Sequence, residues 1–246
     1  MKKIALSLLF IIVFVALLSN NLYSVLSPTA AILSRGEARV YQKIYKNNSL
    51  SFGADVGLID NFQFGVSYGA EQLVGDLEPE WRNTPDVNVR FRIINEDLDI
   101  PAIAIGIDTQ GHGHFHKHYK RYDIMSKGAY IVGSKNFSFL GLMGFDFGLN
   151  FSFEHPDHKN HFDSFTGLYK TIGNDVTIYA DYSFGFNDYK KGNNITGRGK
   201  GYLNTAVQLR LSDNLSMKLL MYDMLQNRRT TNLFDRALLI DYRWFF

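Results

Sequence analysis

The sequence predicts an all-β fold, a transmembrane antiparallel up-and-down β-barrel of about twelve strands preceded by a signal peptide. Three observations carry this prediction. Apolar and polar residues alternate in segment after segment, the period of a strand whose two faces meet different media. Tight turns alternate with long polar loops, as they do when short turns face the periplasm and long loops face outside. The chain ends in an aromatic-rich alternating strand closing on Phe246.

Taken in order, Met1-Lys2-Lys3 leads into the apolar run IALSLLFIIVFVALL and then the polar stretch SNNLYSVLS. A cationic start, an apolar run and a polar region with small residues make a secretory signal. Residues 1–24 are the expected signal peptide, with cleavage after Ser24 or Ser27, and residues 25–246 the barrel. The apolar run falls short of the ~20 residues a helical span needs. The chain has no cysteine, which excludes disulfides and a lipoprotein anchor. Loss of Lys2 and Lys3 leaves equal numbers of acidic and basic side chains, so net charge points to no polyanionic partner, and nucleic acid is not expected.

The expected strands cover 37–45, 49–58, 62–71, 85–94, 100–108, 125–133, 137–153, 162–171, 176–187, 200–211, 215–224 and 234–246. In FQFGVSYGA, Phe62, Phe64, Val66 and Tyr68 oppose Gln63, Gly65, Ser67 and Gly69. In FSFLGLMGFDFGLNFSF, Phe145, Phe147, Leu149 and Phe151 oppose Gly144, Asp146, Gly148 and Asn150. Tight connections are expected at Ile59-Asp60-Asn61, 95–99, Ser134-Lys135-Asn136, Gly173-Asn174-Asp175 and Ser212-Asp213-Asn214. Long loops are expected near 71–86, 109–124, 154–161, 188–200 and 225–233, with Lys46-Asn47-Asn48 as a short outer turn. Twelve is even, which puts both termini on the periplasmic side. Poor alternation near 125–133 and 215–224 gives a range of ten to fourteen strands. In the last strand Ile240, Tyr242, Trp244 and Phe246 form the aromatic face expected to be read by the barrel assembly machinery. The location implied is the outer membrane of a Gram-negative-type envelope, with its lipid as the surrounding partner.

The inward parity collects Arg39, Lys43, Arg90, Arg92, Arg210, Lys218 and Arg243 with Asp55, Asp108, Asp146, Asp181 and Asp241. Opposite charges this close in a narrow barrel pair across it, which predicts a plugged, salt-bridged interior. The alternative is a narrow pore with mildly cationic walls. Basic outer loops after residue 109 and an acidic loop around 71–86 form a field able to hold anionic surface polysaccharide or lipopolysaccharide phosphates.

All seven histidines fall in two outer loops. In GHGHFHKHY, His112, His114, His116 and His118 stand at two-residue spacing, which on an unbroken strand places them on one face about 6.6 Å apart. Imidazole pairs of that kind suit weakly bound Zn²⁺, Ni²⁺ or Cu²⁺, with His155, Asp157 and His158 able to complete the shell. A polar loop and a protonation-sensitive gate are the competing readings. Catalysis is not expected, because no histidine lies within a strand and no G-x-S-x-G motif is present.

The stretches AIAIGIDTQGHGHF…SKGAYIVGSKNFSFLG and GADVGLIDNFQFGVSYG resemble the pattern of the YjbH family, outer-membrane proteins linked to exopolysaccharide production. That resemblance implies a barrel with an envelope role tied to polysaccharide and transfers no catalytic residue. The sequence therefore leads to a non-enzymatic envelope protein with a structural or surface-binding role. The alternative is a porin-like channel for small anionic solutes.

Overall fold

A strand that is apolar on one face and polar on the other needs two media, and a sheet can supply both by closing on itself. The computed structural model describes residues 21–138, 140–154, 162–188 and 195–246. Its strands are β1 (Glu37–Tyr45), β2 (Ser49–Ile59), β3 (Phe62–Glu71), β4 (Glu80–Trp81) and β5 (Asp86–Ile94). They continue with β6 (Ala102–Asp108), β7 (His112–His116), β8 (Arg121–Ile124), β9 (Gly128–Ser138) and β10 (Leu142–Phe151). The last five are β11 (Phe162–Ile172), β12 (Val176–Ser183), β13 (Tyr202–Arg210), β14 (Leu215–Tyr222) and β15 (Asp235–Phe245).

Twelve of these form the wall, in the order β2-β1-β15-β14-β13-β12-β11-β10-β9-β6-β5-β3, and β2 pairs with β3 to close the ring. Neighbours in the ring are antiparallel throughout. The ring leaves no wall strand with an unpaired edge, as lipid demands of a spanning sheet. Short β4 flanks the outer end of β3, and β7 with β8 makes a separate hairpin.

Alternation alone leaves a sandwich and a membrane barrel equally possible; burial separates them. Outward-pointing Phe52, Phe91, Ile131, Phe147 and Leu219 are exposed. Inward-pointing Arg39, Asp55, Arg90, Asp146 and Asp181 are buried. A water-soluble domain has the reverse arrangement, whereas an apolar outer band around a polar interior is that of an outer-membrane barrel. Lumen aromatics lie flat across lumen glycines. A Cβ on Gly106 would come within 2.4 Å of the Tyr130 hydroxyl, and one on Gly53 within 2.2 Å of the Tyr41 ring. These close approaches let rings fill a tapering interior.

Two expectations require correction. The tight turn placed at Ser134-Lys135-Asn136 lies instead around Leu140 and Gly141, which have φ of 44° and 105°. Strand β9 runs on because its inward parity is satisfied there. Ser134 Oγ donates to Asp146 at 2.5 Å, and Asn136 accepts from the Tyr169 hydroxyl at 2.5 Å. The histidine run does not prolong β6 either, and His112, His114 and His116 stand within β7, where no histidine was expected on a strand. Strand β6 ends at Asp108, and Gly113, at φ 87°, breaks the two-residue period within β7.

Candidate functional site

The lumen is where the chemistry gathers. On adjoining strands β1, β15 and β14, inward positions carry Arg39, Lys43, Asp241, Arg243 and Lys218. Arg39 donates to Asp241 and, at 2.9 Å, to Asp55. Arg243 lies 3.2 Å from Asp241 and 3.9 Å from Glu37. Lys43 and Lys218 form no carboxylate pair among the described residues. The Lys218 ammonium sits 3.7 Å over the Tyr179 ring, and Lys43 lies 6.0 Å from the Tyr45 ring centroid. Arg39, Lys43, Lys218 and Arg243 line one cavity of about 70 Å³, together with Asp241, Asp108, Gln110 and Gln208. At ~10–15 Å³ per water this space holds roughly five waters.

The other inward charges have different duties. Arg90 forms no carboxylate pair among the described residues; its Nε donates to the Tyr130 hydroxyl at 2.8 Å. Its Nη1 donates to the carbonyls of Leu22 at 2.9 Å and Ala31 at 2.7 Å. Arg92 is half-buried, and Arg210 stands exposed at the turn end of β13. Asp108 accepts from the Tyr23 hydroxyl at 2.9 Å.

These contacts lead to an element that alternation could not reveal. Residues 21–34 fold back inside the barrel. Thr29 donates to the Leu22 carbonyl at 3.1 Å and Ser24 to that of Ser27 at 3.0 Å, giving a narrow hairpin with its tip at residues 24–27. Asp181 grips the tip, accepting the backbone N–H of Val25 at 3.1 Å, Leu26 at 2.6 Å and Ser27 at 2.7 Å. Ser24 Oγ donates to Asp146 at 2.7 Å, Ala30 N donates to Ser134 Oγ at 2.8 Å, and Leu33 N to Gln63 at 3.0 Å. Ser24, Ser27, Ala30, Ile32 and Leu33 are almost wholly buried. Both expected cleavage points lie within this hairpin. Residues 1–20 fall outside the described residues.

At the outer mouth the β7–β8 hairpin turns inward. Arg121 is fully buried in a two-pronged bond to Asp188 at 2.6 and 3.0 Å. The Tyr122 hydroxyl donates to Asp86 at 2.9 Å. Asp123 receives Lys46 at 2.6 Å and lies 2.9 Å from His116 Nε2. Arg228 joins Asp223 at 3.0 Å and Asp235 at 2.7 Å across the same mouth.

The four histidines of β7 and its turn do not converge. His112 is buried between Tyr45 and Tyr222, 5.9 and 3.8 Å away by ring centroids, with Nε2 3.4 Å from Asp235. Burial holds its imidazole down to about 4, against the pull of Asp235. His114 Nδ1 lies 2.9 Å from Glu71, His116 faces Asp123, and His118 is exposed beside Tyr119. The separation follows from Gly113: a positive φ in mid-strand rotates His112 away from the others. Among the described residues the ligand atoms of Glu71, Glu80 and His114 all lie within 4.8 Å of one another, a grouping able to hold a divalent ion. His155, Asp157 and His158 lie outside the described residues. The aromatic face at the C-terminus points outward, with Ile240, Tyr242 and Phe246 exposed and Trp244 half-exposed.

No protein-family model and no curated protein matches the chain. Solved structures do. The KdgM porin in complex with disordered oligogalacturonate aligns with a TM-score of 0.50 at 9% identity, over 84% of this chain and 98% of that one. The NanC porin aligns with a TM-score of 0.49 at 14% identity, over 85% of this chain and 99% of that one. The resemblance to the YjbH family is not reproduced by these comparisons. The likeness to KdgM is one of fold, a closed porin-type barrel of similar size.

Proposed function

We propose that the chain is a narrow, porin-like channel of the outer membrane for small anionic solutes, acidic sugars among them. The supporting observation is the stripe of Arg39, Lys43, Arg243 and Lys218 on three adjoining strands, converging on one cavity. A wall carrying cations in a low-dielectric tube concentrates anions and repels cations. Two of the four, Lys43 and Lys218, carry no ion pair among the described residues, so no carboxylate neutralises them. The KdgM porin of the same fold was solved with oligogalacturonate, a polymer of this charge class. The role is passive and non-enzymatic.

A surface-binding role without conduction has one observation in its favour, the filled lumen. Proteoliposome efflux separates the two. The channel reading predicts faster loss of a uronate than of the neutral hexose of equal size. That preference shrinks when Lys43→Gln and Lys218→Gln are combined. Equal rates for the two sugars, or no efflux of either even from vesicles holding folded barrels that start at Arg35, overturn the reading.

A further inference from the structure

Resting on the channel reading, we propose that residues 21–34 stay in the mature chain as a built-in plug that closes the lumen, docked by its tip on Asp181. Export processing then falls before Asn21, upstream of Ser24 and Ser27.

The contacts support both halves. Cleavage after Ser27 would remove every N–H that Asp181 receives from the hairpin tip. It would also remove the Ser24 hydroxyl from Asp146 and the Leu22 carbonyl from Arg90. Asp181 and Asp146 would then be left as buried carboxylates short of donors, and Arg90 would lose one of its two carbonyl partners. Unpartnered charge of that kind is costly. Residues 21–24 are themselves used: the Tyr179 hydroxyl donates to Asn21 at 2.7 Å, and the Tyr23 hydroxyl to Asp108 at 2.9 Å. The wall is thus built to receive an insert that includes Asn21 and Tyr23.

The hairpin is also placed to obstruct. Asn21, Leu22, Tyr23, Val25 and Leu26 form one side of the cavity whose other side is the cationic stripe. The Ser24 carbonyl lies 3.4 Å from Lys218 Nζ, so the plug occupies one of the two lysines a permeating anion would use. Its attachment to the wall is by wall side chains bonded to its backbone and to the side chains of Asn21, Tyr23 and Ser24, with no ladder pairing to a wall strand among the described residues. An insert held this way can leave without opening the barrel, because each wall strand keeps its own neighbours.

Two measurements test this. Intact mass of the protein purified from outer membranes should give a chain starting at or before Asn21; a start at Val25 or Pro28 overturns the proposal. Planar-bilayer recording should compare the full mature chain with a chain starting at Arg35, each first shown to be folded by heat-modifiable migration. The shortened barrel should conduct several-fold more. A locked version guards against misfolding of that variant. The chain has no cysteine, and a Cβ at Gly167 would lie 3.0 Å from that of Ser24; a disulfide spans ~3.5–4.5 Å between Cβ atoms, so a shift of about half an ångström in the hairpin lets Ser24→Cys with Gly167→Cys be oxidised to a tether. Oxidation should suppress openings, and reductant should restore them. Equal conductance of full and shortened barrels, with no effect of the tether, overturns the plug and leaves the channel standing. Silence of every folded barrel, the shortened one included, overturns the channel reading and the plug with it.

Discussion

Replacing Asp181 by Asn should release the lumen hairpin while leaving the barrel wall intact. The carboxylate accepts three consecutive backbone N–H groups, from Val25, Leu26 and Ser27, and the side-chain amide of Asn204. Hydrogen bonds to an ionised acceptor contribute about 1.5–3 kcal/mol each, and neutral ones about 0.5–1.5. Asn keeps the shape and one acceptor oxygen, so each hairpin bond loses about 1 kcal/mol, or roughly 3 kcal/mol for the three. At ~1.4 kcal/mol per factor of ten, the undocked fraction should rise about a hundredfold. A single Ser27→Cys reporter reads that fraction, since Ser27 is fully buried and the chain has no other thiol. Its alkylation rate in folded barrels should climb by about two orders of magnitude with Asp181→Asn. An unchanged rate would refute the assignment of Asp181 as the anchor.

Further predictions concern the mouth and the C-terminal strand. Burial keeps His112 neutral, with a folded value of about 4 against 6.5 in the open chain. Its contribution to docking the β7–β8 hairpin is therefore fully present above pH 6.5 and lost as pH falls towards 4, about 3 kcal/mol in all. Hydrogen exchange across residues 112–124 should speed up over that window, and His112→Phe should flatten the response. The charges facing His112 there are Asp235, Lys43 and Arg228. Arg121→Ala should destabilise the same hairpin by about 3–5 kcal/mol, because it strands the buried carboxylate of Asp188; protease cleavage between residues 111 and 127 under native conditions would report it. Titration calorimetry should detect micromolar Zn²⁺ binding that Glu71→Gln or His114→Asn abolishes and His112→Asn does not. Equal loss from His112→Asn would restore the linear histidine site. Deleting Phe246, whose backbone N–H donates to Gly36 at 3.0 Å, should lower the yield of heat-modifiable barrel.

The wall was legible because lipid imposes period two on every strand, and a slip of one residue would turn Phe145, Phe147 and Leu149 inward together. Strand ends were less legible. The β9–β10 turn was misplaced by about five residues, since Ser134-Lys135-Asn136 has turn composition but its Ser and Asn serve lumen partners instead. The lumen residues follow from parity, yet parity says nothing of partners. Arg90 reads as one more wall cation until the Leu22 and Ala31 carbonyls are seen against it. The lumen hairpin left little trace, because Val25-Leu26-Ser27-Pro28 has neither alternation nor helical period and adjoins an apolar leader. Its one signal is that Asp146 and Asp181 form no ion pair with a wall cation among the described residues and take donors from the hairpin instead. The histidine spacing misled for a local reason, since a single glycine at positive φ is enough to cancel a period of two.

The central claim is an anion-passing lumen, and ion selectivity of the unplugged barrel tests it most directly. Barrels starting at Arg35 should be recorded in a planar bilayer across a tenfold KCl gradient. The stripe of Arg39, Lys43, Lys218 and Arg243 predicts a reversal potential displaced towards that of chloride, moving back towards zero with Lys43→Gln and Lys218→Gln combined. A reversal potential on the potassium side, or one unmoved by those substitutions, would contradict the account.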